Sequence, residues 1–337
     1  MKLGLLFTGG NSIQQIVTLG QQAEAAGFAS LYMVEAYRSA WIALTALAGA
    51  TQRVQLGPYV LNAYARSPLL TGMTAIDFNE YANGRLLLGI GGGNRIINED
   101  WQGIPHARVL TKMREYVELL KRMARTAAGE PISYQGQVHR MRWTPVVTPM
   151  APPFPVFLAA IFPAMLRVAA SVADGIAGGA TLSARYLREQ IQPLAARFAT
   201  EAERDPATLR WNAVMFTAVS EDVEAARRAN RVALCSLFAP LPHPYYEFTM
   251  REQGFEAVVA QLAKRVPAGQ LEAAIDAIPD EMIDQLTISG TPADCMARIR
   301  SYAGLVEELL LINTLPPGDG DWRNAYTSLL QLGAASA

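Results

Sequence analysis

The stretch Arg85-Leu-Leu-Leu-Gly-Ile-Gly-Gly-Gly-Asn94 decides the fold class, because an apolar run in it ends in three consecutive glycines. A short apolar run of this kind is typical of a parallel strand that is buried on both faces. Gly91, Gly92 and Gly93 would let the backbone pass close to a flat or anionic ligand. Taken alone, the glycines fit an ordinary structural turn equally well. The stretch therefore predicts a buried strand that opens into a candidate ligand loop.

The residues before this strand indicate that it belongs to a repeating unit. Residues 53–84 read as strand, loop and helix, and they end in the turn pair Asn83-Gly84. This arrangement is typical of an α/β barrel or a doubly wound sheet, which bind ligands at the carboxyl ends of their strands. The same alternation predicts eight strand–helix pairs in the whole chain. The predicted strands cover residues 2–8, 28–35, 54–61, 85–90, 156–159, 174–177, 211–219 and 308–312.

The length of the chain fits one barrel with two additions. A (β/α)8 barrel needs roughly 250 residues, and this chain has 337. Residues 131–153 break the alternation with a short predicted hairpin, and residues 240–279 break it with a proline-rich and then helical segment. We therefore predict an α/β protein: a single (β/α)8 TIM barrel over residues 1–337, with insertions near 131–153 and 240–279. Ser12 and Gln15 predict a capping box at the start of its first helix.

Composition and charge argue against several classes of protein. The net charge is −1, so the chain lacks the basic character of a nucleic-acid-binding protein. No apolar run reaches the length of about 18 residues that a membrane-spanning helix needs. The two cysteines, Cys235 and Cys295, are too few for a disulfide framework. We expect a cytoplasmic protein that binds neither nucleic acid nor a membrane.

Motifs for the common hydrolytic and phosphoryl-transfer mechanisms are missing from the sequence. The three histidines are not spaced as a zinc pair, so no metal site is predicted. There is no Gly-x-Ser-x-Gly elbow and no Walker-type loop. The Gly-x-Gly-x-Gly of residues 89–93 follows a strand but lacks the helix start and the downstream acidic residue of a dinucleotide fingerprint. These absences favour a barrel in which a bound cofactor supplies the chemistry.

Seven short motifs follow one another along the chain. They are Arg53-Val-Gln-Leu-Gly-Pro-Tyr-Val-Leu-Asn62, Arg66-Ser-Pro68, Asn83-Gly-Arg85, Leu88-Gly-Ile-Gly91, Pro155-Val-Phe-Leu-Ala-Ala160, Met165-Leu166 and Ala173-Asp-Gly175. Together they resemble the bacterial-luciferase-like oxidoreductase superfamily. Within it, the sequence is similar to the branch of methylenetetrahydromethanopterin reductase, which uses the deazaflavin coenzyme F420. The resemblance covers nearly the whole chain and implies a (β/α)8 barrel that holds a flavin or deazaflavin at its strand ends.

The resemblance also implies which positions meet the cofactor. It implies a non-prolyl cis peptide bond between Tyr59 and Val60, with an ordinary trans turn after Pro58 as the alternative. The implied cofactor-binding residues along the ring and ribityl chain are Tyr59, Val60, Asn62, Gly91, Gly92, Gly93 and Asn94. Those implied near the phosphate are Ala159, Ala160, Gly178, Gly179 and Ala180.

Charged and aromatic side chains supply the remaining candidates. Glu35 matches an acidic residue near the reacting ring and is our catalytic candidate; the alternatives are a surface carboxylate or a partner of Arg38 or Arg66. Arg66 and Arg95 are candidates to meet a phosphate or an acidic cofactor tail. We expect one residue of the set Tyr37, Tyr59 and Tyr64 to line the pocket. In the insertions, the residues of interest are His139, His243, Tyr245 and Tyr246.

Three departures from the family pattern bear on the reaction. The methanopterin reductases have a glutamate where Leu6 stands, and deazaflavin enzymes of the family often have a histidine where Ala36 follows Glu35. The phosphate-side turn often has a glycine before its proline, whereas Ile161 and Phe162 precede the proline here. These departures argue against reduction of methanopterin itself.

The resemblance leaves three functions open. We predict first a coenzyme F420-dependent oxidoreductase that transfers a hydride between the deazaflavin and a small organic substrate. The alternatives are an FMN-dependent luciferase-like monooxygenase or reductase, and a non-catalytic descendant that still binds a cofactor. A homodimer formed through the helices of the first half is expected.

Overall fold

A computed structural model describes residues 1–239, 244–317 and 322–334. The strands of these residues are, in chain order, β1 (Lys2–Phe7), β2 (Ser30–Met33), β3 (Gln55–Pro58), β4 (Leu61–Asn62), β5 (Leu88–Gly91), β6 (Ile132–Gln135), β7 (Arg140–Trp143), β8 (Val156–Ala159), β9 (Gly175–Ala177), β10 (Arg210–Val219), β11 (Ile288–Gly290) and β12 (Glu308–Asn313). All except β6 and β7 belong to one sheet.

That sheet closes into a barrel. It runs in the order β3-β2-β1-β12-β10-β9-β8-β5-β4, and each pairing along this path is parallel. Two backbone hydrogen bonds join its edges: Leu56 N donates to Arg85 O at 2.8 Å, and Leu87 N donates to Leu56 O at 2.9 Å. The third barrel strand is divided into β3 and β4 by Tyr59 and Val60. The predicted barrel is confirmed.

The helices pack around this barrel. They are α1 (Ile13–Ala25), α2 (Ala40–Ala50), α3 (Pro68–Tyr81), α4 (Val109–Met123), α5 (Pro163–Val172), α6 (Ala184–Tyr186), α7 (Gln192–Glu201), α8 (Val223–Cys235), α9 (Pro244–Glu252), α10 (Glu256–Arg265), α11 (Leu271–Asp276), α12 (Asp280–Leu286), α13 (Pro292–Arg300) and α14 (Asn324–Ala334). The predicted capping box opens α1, because the Ser12 hydroxyl accepts from Gln15 N and the Gln15 side chain accepts from Ser12 N. None of the described helices is long and apolar enough to cross a membrane.

Two elements depart from a regular alternation of single strands and helices. Helices α6 and α7 are separated by a π-helical turn, Leu187–Ile191. Pro193 follows this turn and lacks the N–H that a regular helix would need, so the chain takes a wider turn before it. Strand β11 was not predicted. It has only three residues and pairs with the outer end of β10, where Thr217 lies opposite Ile288.

The two interruptions of the barrel form separate structures. Strands β6 and β7 pair as an antiparallel hairpin, and Ile132 and Met141 pack with Leu119 and Met123 of α4. Helices α9 to α12 pack against α8 in an apolar cluster of their own. Of the residues named for the second insertion, His243 lies outside the described residues. The site can thus receive side chains from outside the barrel repeat.

The barrel interior is apolar near the strand ends and polar at its amino-terminal end, which we call the barrel floor. Glu308, at the start of β12, is 3% exposed there. Its Oε2 accepts hydrogen bonds from the Tyr32 hydroxyl at 2.9 Å and from Asn212 Nδ2 at 3.2 Å. Burial raises the pKa of Glu308. The Tyr32 ring also meets the Tyr59 ring edge-on at 5.6 Å, so the floor supports the residues of the site above it.

Candidate functional site

A cavity of about 530 Å³, which we call the strand-end cavity, opens at the carboxyl ends of the barrel strands. Its wall brings together most positions predicted from the sequence: Glu35, Tyr59, Val60, Asn62, Gly91, Gly92, Gly93, Asn94, Ala159, Gly178 and Gly179. These residues lie at the ends of β2, β3, β4, β5, β8 and β9, where parallel strands present their loops at one edge. Their contact with a cofactor stays a prediction.

Two predicted positions, Ala160 and Ala180, lie outside this wall. Side chains alternate along a strand, so Ala159 faces the barrel interior while Ala160 packs in the outer core between strands and helices. Ala180 packs in the apolar cluster that fills the barrel interior. Their side chains therefore support the wall from behind.

The third strand and the glycine strand meet in a close contact. The Tyr59–Val60 peptide bond is cis, as predicted. A Cβ at Gly91 would lie 2.6 Å from Val60 Cγ2, and one at Gly89 would lie 2.5 Å from the Pro58 carbonyl oxygen. Glycine at these two positions is therefore required by close packing against the third strand, whatever contact the loop makes with a ligand. The bulge and the glycine strand form one continuous wall of the cavity.

An amide network fixes the loop that follows β5. Asn62 Nδ2 donates to Asn98 Oδ1 at 2.7 Å, and Asn98 Nδ2 donates to the Gly92 carbonyl at 2.8 Å. Asn98 is fully buried in a π-helical turn, Ile96–Asp100. Gly93 has φ +62°, a conformation that favours glycine. Sequence reasoning missed Asn98, because one amide in a short irregular turn leaves no periodic signal.

Glu35 lies in the cavity wall and also has a partner. Its Oε1 lies 3.4 Å from Nη2 of Arg66, and both side chains are mostly buried. Of the alternatives considered for Glu35, the ion pair with Arg66 is therefore present. Arg66 itself is not part of the wall, and Arg95 is exposed and pairs with Glu99. Both arginines thus lie outside the described lining of the cavity, and their contact with a phosphate or an acidic cofactor tail stays a prediction.

The opposite wall contains the start of α5. No side chain caps this helix, whose N-cap is Phe162, and Pro163 at its first position has no N–H. Ala164 and Met165, which carry the first N–H groups of the helix, both line the cavity. Free N–H groups and the helix dipole make such an end an anion-binding site. Gly179 also belongs to this wall; a Cβ there would lie 2.9 Å from Ile161 Cδ1.

Helix α9 of the second insertion covers the cavity from one side. Tyr245 and Tyr246 line the cavity, and the Tyr245 hydroxyl donates to the Gly93 carbonyl at 2.6 Å. The Phe162 ring meets the Tyr245 ring at 5.5 Å and the Phe248 ring at 4.8 Å. Phe162, which departs from the family pattern, thus joins an aromatic cluster with α9.

Most of the remaining aromatic and histidine candidates lie away from the strand-end cavity. Of the three tyrosines considered for the pocket, Tyr59 lines it, whereas Tyr37 is 69% exposed and Tyr64 is outside the wall. Tyr59 also donates its hydroxyl to the Gly178 carbonyl at 2.8 Å and so ties the bulge to the far wall. The ring of His139 packs against Tyr116, away from the cavity. One tyrosine of the set therefore lines the cavity, as expected.

Sequence reasoning missed a group of lining residues that is mainly apolar. It consists of Val34, Ala36, Leu61, Ile97, His106, Val109, Leu110, Ile161, Ala164, Met165 and Ala177. Some of them, such as Val34, Val109 and Ala164, directly follow a strand or lie in the first turn of the next helix, and this position was the available signal. His106 is the imidazole of this group, and burial lowers its pKa. Among the described residues, no cluster of histidine, cysteine, aspartate and glutamate is placed to hold a metal ion.

The barrel has an apolar cavity at the carboxyl ends of its strands, beside the cis bulge, the glycine loop and an uncapped helix end, which is where barrels of this kind bind small-molecule ligands. More specifically, the chain belongs to the luciferase-like monooxygenase family, with the match covering residues 1–307.

Comparison with individual proteins gives the same fold. The chain is 29% identical over 314 residues to the 5,10-methylenetetrahydromethanopterin reductase of Archaeoglobus fulgidus, covering 91% of this chain and 92% of the relative. The structure of the coenzyme F420 dependent tetrahydromethanopterin reductase from Methanopyrus kandleri superposes with a TM-score of 0.84, at 21% identity and 99% and 97% coverage. The oxygenating constituent of 3,6-diketocamphane monooxygenase from Pseudomonas putida, in complex with FMN, gives 0.68 at 14% identity and 100% and 96% coverage.

Proposed function

We propose that the protein is a coenzyme F420-dependent oxidoreductase, in which a hydride passes between the deazaflavin and an organic substrate in the strand-end cavity. One observation carries the proposal. The cavity joins an apolar wall at the Tyr59–Val60 bulge to an uncapped helix end at α5. A cofactor with a planar ring and a phosphorylated side chain requires both: an apolar surface for the ring and an anion-binding helix end for the phosphate.

The wall fits the ring of the cofactor. Val60, Gly91 and Ala159 leave a surface without projecting side chains, because a Cβ at Gly91 would fill the space beside Val60 and Ala159. The wall around them is mostly aliphatic and aromatic, which favours a flat organic ring. Asn94 lies in the same wall, and its amide can donate to a polar edge of such a ring.

The wall also fits the phosphate. The N–H groups of Ala164 and Met165 lie at the positive end of the α5 dipole, where a phosphate is stabilised. Gly178 and Gly179 also line the cavity, and the lack of a side chain at Gly179 leaves room for Ile161 and Tyr246, which a Cβ there would approach to 2.9 Å and 3.1 Å. The Phe162 ring packs against Tyr245 and Phe248 of α9, which supports room for a phosphate at the helix end.

When bound, the deazaflavin supplies two-electron hydride chemistry. The protein then has to orient ring and substrate and exclude water from them. Tyr245 and Tyr246 of α9 close one side of the cavity. The pair of Glu35 and Arg66 places a carboxylate at the end of the second strand, where the resemblance expects an acidic group near the ring.

The comparisons support the deazaflavin over FMN. The relative from Archaeoglobus fulgidus is named as a methanopterin reductase, and the Methanopyrus kandleri enzyme is named as F420-dependent. The FMN-containing structure superposes with a lower TM-score. The FMN enzyme and the non-catalytic binder are the competing outcomes of the tests.

A charge placed at the start of α5 tests the proposal. We expect Ala164→Glu to weaken binding of F420 by about tenfold relative to Ala164→Gln, because a carboxylate near the phosphate adds roughly 1–2 kcal/mol of repulsion. Both side chains have the same shape, and Ala164 is exposed, so the glutamine variant is a matched control. A glutamate in the first turn of a helix does not destabilise it.

Binding is followed by the fluorescence of F420 itself, with thermal unfolding as the test of folding. Failure of the wild-type protein to bind F420 would refute the proposal. Equal affinities of the two variants would place the phosphate away from α5.

We also propose that the protein is a cytoplasmic homodimer. Exposed apolar side chains on α2 and α3 support the dimer: Ile42 is 64% exposed, and Leu70, Met73 and Tyr81 are exposed on the neighbouring helix. A second copy of the same surface would cover this patch. Cys235 and Cys295 are buried and free, which supports a reducing compartment.

A further inference from the structure

We propose that the substrate of the strand-end cavity is a neutral, largely apolar carbonyl compound, and that Phe162 and Tyr245 determine this specificity. The proposal rests on the proposed function, because the substrate shares the cavity with the cofactor. Its basis is the set of polar groups in the cavity wall, most of which already have partners inside the protein.

The described cavity wall carries no unpaired charged side chain. Glu35 is the carboxylate of the described wall, and its ion pair with Arg66 leaves no net charge. His106 is half-buried, its Nε2 has no partner among the described residues, and burial lowers its pKa, which favours the uncharged ring. The described lining includes no lysine or arginine. We assign the helix end at α5 to the cofactor phosphate. The rest of the described lining has no cationic group that could bind an anionic substrate.

The uncharged polar groups are mostly engaged too. The Asn62 amide donates to Asn98 and accepts from a backbone N–H. The hydroxyls of Tyr59 and Tyr245 each donate to a backbone carbonyl. Asn94 Oδ1 accepts from a backbone N–H, while its Nδ2 has no acceptor among the described residues. The Asn94 amide carries two N–H donors, so beside the edge of the cofactor ring it can also donate to a neutral acceptor of the substrate, such as a carbonyl oxygen.

The aromatic cluster closes the space that the substrate must enter. Phe162 comes from the loop after β8 and Tyr245 from α9, and their rings meet edge-on at 5.5 Å. The hydrogen bond from Tyr245 to Gly93 fixes this contact to the glycine loop. On another side, Val109 and Leu110 of α4 add aliphatic surface. These side chains together offer packing and stacking surface, which selects apolar molecules.

Desolvation makes the selection strong. An ionised carboxylate that enters such a wall loses its hydration without gaining a paired cation, and this is among the most costly burials in proteins. A ketone of the same shape loses far less hydration. We therefore expect the charge of a ligand to matter more than its size.

Acetophenone and benzoylformate form a matched pair for the test, since they differ in a methyl group against a carboxylate. Their dissociation constants are measured by calorimetry on the protein with and without bound F420. We expect acetophenone to bind at least tenfold more tightly than benzoylformate in the F420-loaded protein. Equal affinities, or a preference for benzoylformate, would overturn the proposal.

Variants connect the preference to the aromatic residues. Phe162→Ala removes packing surface and admits water to the wall, so it should weaken acetophenone binding at least fivefold and benzoylformate binding by less, while Phe162→Leu should restore most of the loss. Tyr245→Phe keeps the ring but loses the bond to Gly93, so it should weaken acetophenone binding by less than Phe162→Ala. Tyr37→Ala, outside the cavity, is the control and should change neither constant. An unchanged preference in Phe162→Ala would remove this residue from the specificity role.

The design separates the two proposals. If F420 does not bind but acetophenone is still preferred by the unloaded protein, the proposed function fails and the substrate class stands. If F420 binds and benzoylformate is preferred, the proposed function stands and the substrate class is wrong.

Discussion

The buried carboxyl of Glu308 should make the free energy of unfolding depend on pH. Burial raises its folded-state pKa above the unfolded value, so the folded state holds the proton more tightly. The stabilisation that the Glu308 carboxyl gives the folded state is therefore complete at pH values below its unfolded pKa. This stabilisation is lost as the pH rises through the folded pKa. Glutamine at this position does not titrate. We expect Glu308→Gln to gain stability relative to the wild type as the pH rises from about 4 to about 8.

The structure sets the size of this effect. The glutamine carbonyl keeps the two hydrogen bonds from Tyr32 and Asn212, so the variant and the wild type should differ by less than about 1 kcal/mol near pH 4. Above the folded pKa, the gain is about 1.4 kcal/mol for each unit by which that pKa is raised. Glu308→Leu instead leaves both donors buried without an acceptor and should cost about 2–6 kcal/mol, at 1–3 kcal/mol for each donor.

Urea unfolding across this pH range measures the effect, and the neighbouring Glu307 provides a control of opposite sign. Its hydrogen bond with Arg210 lowers the pKa of Glu307, so its contribution is present above the unfolded pKa and is lost as the pH falls. Glu307→Gln should therefore be less stable than the wild type at about pH 7, with the difference closing near pH 4. A stability difference between Glu308→Gln and wild type that does not change with pH would refute the reasoning.

Three further predictions concern the wall of the barrel, the glycine loop and the surface. Gly57→Ala would place its Cβ 1.9 Å from the Leu87 carbonyl oxygen, so we expect the free energy of unfolding in urea to fall by about 3 kcal/mol or more. Gly10→Ala is the control, because its Cβ would have nothing within 4 Å, and it should change this free energy by less than about 0.5 kcal/mol. Asn98→Ala breaks two buried hydrogen bonds and should cost about 2–4 kcal/mol; affinity for F420 should fall with it, which fluorescence titration of folded protein measures. Ile42→Glu should convert the proposed dimer to a monomer in light scattering, and an unchanged mass would contradict the assigned surface.

The sequence predicts the parts of the site that depend on local pattern. An apolar run that ends in glycine, as at Leu88–Gly91, indicates both the strand and the edge at which its loop opens. The cis bond at Tyr59 and Val60 was predicted only through the family resemblance, since nothing in composition or periodicity requires it. Ala160 lies outside the cavity wall because a strand turns alternate residues to opposite faces, and a motif does not say which of two alanines faces inward.

The rest of the site depends on contacts between distant parts of the chain. Tyr245 reaches Gly93 across 152 positions of sequence, so the hydrogen bond that closes the cavity leaves no local pattern. Phe162 stands out in the sequence only as a departure from the family pattern at the phosphate-side turn, and its packing against α9 became visible only in three dimensions. Strand β11 was missed for a similar reason, because three residues gain strand structure only from pairing with β10.

The most direct test of the central claim is a competition between coenzyme F420 and FMN for the same protein. Protein saturated with FMN is titrated with F420, and the dissociation constants are obtained from the fluorescence of both cofactors. The account predicts that F420 displaces FMN and binds at least tenfold more tightly, at one molecule per chain. FMN that remains bound against excess F420 would contradict the claim.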